Sequence, residues 1–140
     1  AAGVHVIGVD ALPGDGVDVV ADLELCEPAM HMGKFVHVDC LSVLEHSRRP
    51  WLVASTLESM MELGATLFLS VPFVWREHGY PSDYFRFTVE GVRILFPNIQ
   101  WRQLVYGHTE FSTDMAGMGF RLDGHKYFPR TEVFGFGVRV

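Results

Sequence analysis

The sequence predicts a single α/β domain over residues 1–140, built on a mostly parallel sheet. Two short runs, VHVIGVD at 4–10 and VDVVAD at 17–22, are β-branched and almost continuously apolar. Strands buried on both faces of a parallel sheet have this composition. Helical periodicity after Pro50 and a further apolar run at 65–73 continue an alternation of strands and helices, which is typical of the α/β class.

The composition is that of an ordinary globular domain. The 140 residues can bury a sizeable core without disulfides, and 49% hydrophobic with 20% charged residues is a usual balance. The net charge of −6 argues against nucleic acid or an anionic membrane as the main partner. No apolar run reaches the ~18 residues that span a bilayer, and AAGVHVIGVD lacks the basic region of a signal peptide. We therefore expect a cytoplasmic protein.

The third strand is predicted at KFVHVDCLSVL, residues 34–44. Pro50 suits the first turn of the helix that follows, because the N–H that proline lacks has no partner in that turn. Apolar residues then recur at spacings of three and four from Leu52 to Leu63, and we expect Gly64 to end the helix. The strand at 65–73 comes next.

Three further elements complete the predicted domain. Thr88 can cap a short helix over VEGVRILF, and Pro97 ends this region. The last two strands are predicted at 101–111 and 131–140, on either side of a loop or short helix that contains glycine and methionine.

Candidate ligand-binding residues follow the strands, because ligands of an α/β sheet bind at the carboxyl ends of its strands. Asp10 ends the first strand, where an acid can accept hydrogen bonds from both hydroxyls of a ribose. Asp22 ends the second strand and could accept from an adenine amino group, beside a backbone N–H that contacts the ring. The alternative for both residues is a structural one, as a turn residue or a helix cap.

Other motifs give weaker indications. Glu45 and His46 are adjacent, so on a regular element only one of them should face a site, and this spacing is poor for chelation. Cys26 and Cys40 have no metal-ligand spacing and are expected to be reduced, buried thiols. We therefore expect no metal site. The G-x-G triplets at 14–16 and 135–137 do not lie between a strand and a helix, so neither is expected to bind phosphate.

The stretch SVPFVWREHGYPSDYFRFT, residues 70–88, is unusually rich in aromatic and ionisable groups for a connection. Its members could hold a substrate or supply a general base, and five of them carry this prediction: His78, Tyr80, Asp83, Tyr84 and Arg86. The alternative is a self-packed lid in which Asp83 pairs with Arg86 and the aromatic side chains cover the sheet edge. Both can hold, because a lid must be ordered by its own contacts. We call residues 72–88 the lid segment.

Four motifs together resemble the class I S-adenosylmethionine-dependent methyltransferases, particularly their small-molecule branch. They are VIGVD with VDVVADL, then SVLEH, then LFLSVPF, then HGYPSDYFRFTVEG, and the resemblance runs from about Val4 to Phe96, continuing to Val140. It implies a Rossmann-like sheet, mostly parallel with an antiparallel C-terminal strand. The family's glycine-rich loop should stand roughly 20 residues before Asp10. The sequence has no such loop or first strand, so the expected domain is N-terminally truncated.

The resemblance also implies S-adenosylmethionine as the cofactor and a role for each candidate residue. Asp10 matches the acid that binds the ribose, Asp22 and Leu23 match the adenine-binding pair, and Cys40, Leu41 and Ser42 match the strand end beneath the cofactor. The lid segment matches the insertion that covers the acceptor.

The expected reaction is methyl transfer to an oxygen or nitrogen of a small-molecule acceptor. Deprotonation of the acceptor needs a base with a pKa near neutrality, which makes His78 the first candidate and His46 the second. Tyr80, Tyr84 and Arg86 would shape the acceptor pocket. The alternative is a non-catalytic module for binding or oligomerisation, in which another subunit or segment completes the sheet. A nicotinamide-binding fold would also explain Asp10, but neither SVLEH nor the lid segment.

Overall fold

Eight strands and two α-helices are found in the part of the chain that the computed structural model describes, residues 4–25, 34–79, 81–108, 121–122, 125–126 and 131–140. The strands in chain order are β1 (Val9–Asp10), β2 (Val19–Val20), β3 (Phe35–Leu41), β4 (Met61–Val74), β5 (Ile99–His108), β6 (Arg121–Leu122), β7 (His125–Lys126) and β8 (Thr131–Arg139). The helices are α1 (Pro50–Met60) and α2 (Val89–Leu95), with 3-10 turns at Leu23–Leu25 and Leu44–His46.

The main sheet has the strand order β3-β4-β8-β5. β3 runs parallel to β4, with Cys40 opposite Leu69. β8 is antiparallel to both of its neighbours, and Gly135 lies opposite Leu69 on one side and Leu104 on the other. The predicted α/β class and the antiparallel C-terminal strand are therefore confirmed.

The first two strands form a separate sheet, in which β1 and β2 pair in parallel with Val9 opposite Val19. The prediction that these strands are buried on both faces is wrong for the described structure. The side chain of Val6 is 76% exposed and that of Val20 is 55% exposed. Among the described residues, no strand joins this two-stranded sheet to β3, so it lies apart from the main sheet.

Helix α1 begins at Pro50, as predicted, but ends at Met60 rather than at Gly64. Met61 already has extended backbone angles, and it pairs with Phe35 on β3. Sheet pairing therefore takes over the apolar residues that continue the helical spacing. Gly64 lies inside β4 with a φ of 84°, a conformation that favours glycine.

Helix α2 begins where the sequence predicts it. The Thr88 hydroxyl oxygen accepts a hydrogen bond from the backbone N–H of Gly91 at 3.0 Å, which satisfies one of the free donors of the first turn. β5 begins at Ile99, two residues before the predicted strand. Residues 109–111, where that strand was predicted to end, lie outside the described residues, as does most of the following loop.

The core lies between one face of β4 and the two helices. Alternate residues of β4 point into it because side chains of a strand alternate between its faces. The apolar residues with no measurable exposure come from β4, both helices, β8 and the turn after β3: Leu44, Ala54, Leu67, Leu69, Val71, Val92 and Val133. None of the described helices has the length and the apolar character needed to cross a membrane.

The glycines of the GFG triplet serve packing between strands. A Cβ atom on Gly135 would lie 2.4 Å from the indole of Trp101, and one on Gly137 would lie 2.3 Å from a methyl group of Ile99. Both positions are on β8, where side chains of β5 cross the glycines. The absence of a side chain at these two positions therefore serves strand packing.

We expect Gly135→Ala to lower the free energy of unfolding by about 1–3 kcal/mol, because the added methyl group overlaps the Trp101 ring. Gly14→Ala is the matched control, since its Cβ would meet only one side chain, at 3.9 Å. Urea denaturation of both variants measures the difference. Equal midpoints for the two variants would contradict the packing role assigned to Gly135.

Candidate active site

The candidate site lies at the carboxyl ends of β3 and β4. The 3-10 turn at Leu44–His46 follows β3, and the lid segment overlaps the end of β4 and follows it. Ser42 makes the sharp exit from β3 with a φ of 52°, and its N–H donates to the Ser70 carbonyl oxygen at 2.9 Å. This positive φ is costly for a residue with a side chain, and such strained positions concentrate at functional sites.

Glu45 is the most unusual residue of the site. Only 1% of its surface is exposed, and its Oε2 atom has no hydrogen-bond partner among the described residues. Burial raises the pKa of this carboxyl group above its usual value. Its Oε1 atom lies 3.8 Å from Nε2 of His46. Glu45 lines the cavity described below, while His46 bonds the Ser82 carbonyl oxygen, and the 3-10 turn keeps the two side chains close together.

Two histidines face each other beside this carboxylate. The rings of His46 and His78 meet edge to face with their centroids 5.0 Å apart. Nδ1 of His46 lies 2.7 Å from the Ser82 carbonyl oxygen, which can only accept, so Nδ1 carries the proton. Nδ1 of His78 likewise donates to a carbonyl oxygen, that of Arg76 at 3.3 Å, and it also lies 3.0 Å from Oδ2 of Asp83. In both rings Nε2 is then left with a free lone pair.

Asp83 organises the lid segment. Its side chain is 1% exposed, and its two oxygens accept from Nη1 and Nη2 of Arg86 at 2.5 and 2.7 Å. It also accepts from the backbone N–H of His78 at 2.9 Å. These donors, Arg86 first, lower the pKa of Asp83 to about 2. The Asp83–Arg86 pair of the self-packed interpretation is therefore present, and the same carboxylate orients His78.

The guanidinium of Arg86 is also used inside the lid segment. It donates to the carbonyl oxygens of Trp75, Arg76 and Phe85 at 2.7–3.3 Å. Tyr84 connects the lid segment to the turn after β3, because its backbone N–H donates to the Glu45 carbonyl oxygen at 2.8 Å. The predicted substrate residue Tyr80 lies outside the described residues.

A cavity of about 30 Å³ adjoins the buried carboxylate. This volume holds about one water molecule. Its walls come from the turn after β3, the lid segment and β8: Ser42, Glu45, Pro72, Trp75, His78 and Glu132. Glu132 is buried and accepts a hydrogen bond from the Ser70 hydroxyl group, so β8 contributes a second carboxylate to this end of the sheet.

The predicted cofactor residues lie on neighbouring segments. Oδ1 of Asp10 accepts from the Leu12 N–H at 2.9 Å, and Oδ1 of Asp22 accepts from the Glu24 N–H at the same distance. Both therefore have the turn role that was the alternative. The second carboxylate oxygen of each has no hydrogen-bond partner among the described residues and can accept from a ligand.

The remaining predicted cofactor residues differ in exposure. Leu23 packs against the core, whereas Leu41 and Ser42 are exposed at the end of β3. Cys40 is buried in the core, and burial raises the pKa of its thiol to about 12. Its side chain therefore acts in packing, and any contact of this residue with a ligand would be through its backbone. Cys26 lies outside the described residues.

Sequence reasoning missed Glu24, which joins the segment after β2 to the main domain. Its carboxylate accepts from the Ser47 hydroxyl at 2.7 Å, from the Arg48 N–H at 2.8 Å and from Nε of Arg49 at 2.9 Å. These donors, Ser47 first, lower the pKa of Glu24 to about 2. No local pattern could have indicated this role, because the partners are more than twenty positions away.

Solved structures show the same fold. A candidate methyltransferase from Bacillus halodurans matches 89% of this chain with a TM-score of 0.63 and 13% identity. The N-methyltransferase NodS from Bradyrhizobium japonicum, solved with S-adenosyl-L-homocysteine, matches 94% with a TM-score of 0.58 and 10% identity. A variant of a 16S rRNA adenine methyltransferase from Catenulisporales acidiphilia, solved with S-adenosylmethionine, matches 86% with a TM-score of 0.53 and 20% identity.

These similarities show that the chain has the fold of the class I S-adenosylmethionine-dependent methyltransferases, as the resemblance implied. The chain spans 72%, 64% and 60% of the lengths of these three proteins, and 40% of TehB from Haemophilus influenzae, another match. No protein-family model matches the sequence, and no curated protein matches it significantly.

The Asp83 carboxylate should make stability depend on pH in the acid range. A carboxyl group whose pKa falls on folding stabilises the protein above its unfolded pKa, and this contribution is lost as the pH falls through the folded value. For Asp83 that window extends from about 4 down to about 2. We expect Asp83→Asn to lower the free energy of unfolding at neutral pH by about 2 kcal/mol, because it breaks buried charge-assisted hydrogen bonds.

Urea midpoints of the wild type and Asp83→Asn, measured from pH 7 to pH 2, test this. The difference between the urea midpoints of the two proteins should be largest above pH 4 and should decrease towards pH 2. Glu90→Gln is the control, because Glu90 forms an exposed ion pair with Arg93. A difference that does not change with pH would contradict the assignment.

Proposed function

We propose that this domain transfers the methyl group of S-adenosylmethionine to an oxygen or nitrogen of a small-molecule acceptor, with His78 as the general base. The observation that carries the proposal is the setting of His78: Nδ1 donates to the Arg76 carbonyl oxygen at 3.3 Å beside the Asp83 carboxylate, 3.0 Å away, and Nε2 is left free. A base oriented in this way is suited to remove a proton from a hydroxyl or an amine. The fold supports the choice of reaction.

The chain offers suitable groups for the cofactor. When bound, S-adenosylmethionine supplies an electrophilic methyl group on a sulfonium sulfur. Asp10 ends β1, and Asp22 lies two residues after the neighbouring parallel strand β2. Each has one carboxylate oxygen free, which fits the ribose hydroxyls and the adenine amino group respectively. Leu23, Cys40, Leu41 and Ser42 would complete the surface beneath the cofactor. Similar proteins solved with this cofactor or its demethylated product support the assignment.

The acceptor would bind beneath the lid segment. There His78 takes the proton of the nucleophile, and His46 is the second candidate, since its Nε2 is also free. Asp83 and Arg86 act as positioning residues. They order the lid segment, and the lid segment in turn positions the acceptor. Tyr80 and Tyr84 would shape the acceptor pocket. Orientation and exclusion of water supply most of the catalysis in such a displacement.

A small molecule is the favoured acceptor class, and charge supports it. The net charge of −6 disfavours a polyanion, although one similar protein is a 16S rRNA methyltransferase. We accordingly propose a cytoplasmic enzyme with neither nucleic acid nor membrane as a partner.

One observation favours a second function, that of a binding or oligomerisation module. β3 is an edge strand of the main sheet in the described structure, and its Val36 is 70% exposed. An unpaired edge with apolar side chains can accept a strand from another segment or another subunit. The two functions are compatible if that strand completes the cofactor site.

Cofactor binding tests the enzymatic proposal directly. We expect S-adenosylhomocysteine to bind to the folded chain in calorimetric titration, and Asp10→Ala to weaken binding by at least about tenfold, because the charge-assisted hydrogen bonds from the ribose hydroxyls would be lost. Asp15→Ala, in the turn between β1 and β2, is the control. No heat at millimolar ligand with a folded protein would refute the proposal.

The role of His78 is tested with a panel of small phenols and amines as methyl acceptors. We expect His78→Gln to lower kcat by about 10² to 10⁴, the range for loss of a general base, without changing S-adenosylhomocysteine affinity. The control is His37→Gln, which removes an exposed histidine on β3. Unchanged kcat in His78→Gln would exclude it as the base.

A further inference from the structure

We propose that Glu45, His46 and His78 form a binding site for one divalent cation of the zinc class. One ligand atom from each residue, a carboxylate oxygen or a ring nitrogen, lies within 4.8 Å of the others. Two histidines and one carboxylate are a donor set that proteins use for catalytic zinc and related transition metals. The adjacent positions of Glu45 and His46 argued against chelation, but the 3-10 turn and the lid segment bring all three together.

The unpartnered oxygen of Glu45 is an independent observation that points to a ligand. A buried carboxylate oxygen normally has a hydrogen-bond partner, and an uncompensated buried charge is costly. Oε2 of Glu45 has no such partner among the described residues, and the residue lines the cavity of about 30 Å³. A cation at this place would neutralise the carboxylate without adding any protein group.

The two histidines are already oriented as metal ligands. A histidine that binds a metal usually donates its other N–H to a carbonyl or a carboxylate, which fixes the tautomer and the ring. Nδ1 of His46 does so with the Ser82 carbonyl oxygen, and Nδ1 of His78 does so with the Arg76 carbonyl oxygen, beside the Asp83 carboxylate. Both Nε2 lone pairs are therefore available, and that of His46 lies 3.8 Å from Oε1 of Glu45.

The distances require only small side-chain movements. Ligands at about 2.0–2.1 Å from a tetrahedral zinc ion lie roughly 3.3 Å from one another. Oε1 of Glu45 and Nε2 of His46 are already 3.8 Å apart, and the other separations are within 4.8 Å. Magnesium and calcium are poor candidates, because they prefer sites made entirely of oxygen.

This inference stands apart from the proposed methyl transfer. A ring nitrogen that binds a metal cannot accept a proton, so an occupied site and a free His78 base exclude each other in the same molecule. Metal binding can therefore be measured on the chain without any methyl acceptor or cofactor.

The test is a titration of the metal-free chain with Zn²⁺ in competition with a chromophoric chelator. We expect one Zn²⁺ per chain, and at least tenfold weaker binding in His78→Ala and in Glu45→Gln. The matched control is His37→Ala, because His37 also lies beside a carboxylate, with Nε2 3.0 Å from Asp39, but outside the cluster. Mg²⁺ at the same concentrations should not compete.

Glu45→Gln separates binding from folding. Because it removes a buried charge, it should leave the Tm of the metal-free chain equal or higher while it weakens Zn²⁺ binding. If His78→Ala does not fold, an NMR titration of the wild-type chain with Zn²⁺ serves as the test instead. Zn²⁺ should then shift the imidazole signals of His46 and His78 but not those of His37. Absence of stoichiometric binding, equal affinity in Glu45→Gln, or shifts confined to other histidines would overturn the proposal.

Discussion

The buried carboxylate of Asp83 is the contact on which the arrangement of the site depends. It accepts two hydrogen bonds from Arg86 and one from the backbone N–H of His78, and it lies 3.0 Å from the ring of His78. Arg86 then holds three backbone carbonyl groups of the same segment. A connection with this many ionisable groups is costly to order, and this network offsets that cost. Without Asp83, neither the path of the lid segment nor the direction of His78 would be determined.

Glu45 has the opposite electrostatic environment to Asp83. Three donors lower the pKa of Asp83 to about 2, whereas burial without a partner for Oε2 raises the pKa of Glu45. Two neighbouring carboxyl groups with pKa values pushed apart serve different purposes in many active sites. Here the ionised Asp83 is structural and orients a histidine, while Glu45 is the group that a proton, a cation or a polar ligand can satisfy.

Sequence reasoning was most successful where local pattern and tertiary structure agree. Strands β3 and β4, the proline that begins α1 and the Thr88 cap all follow from the chemistry of a few adjacent residues. The end of α1 was missed because pairing between Met61 and Phe35, which are distant in the chain, takes precedence over helical spacing. The convergence of Glu45 and His46 was missed for a related reason, since a 3-10 turn does not keep the side-chain directions of a regular element.

Residues 47–49 show how the two sides of the proposed site are joined. Nε of Arg49 donates to Glu24 in the segment after β2, and Nε of Arg48 donates to the Tyr84 hydroxyl in the lid segment at 3.0 Å. Adjacent side chains therefore contact the proposed adenine side and the proposed acceptor side. Because α1 begins directly after them, both contacts are fixed to the core through one short stretch. A cofactor that displaces the segment after β2 would therefore also displace the lid segment, because the adjacent residues Arg49 and Arg48 bind the two segments.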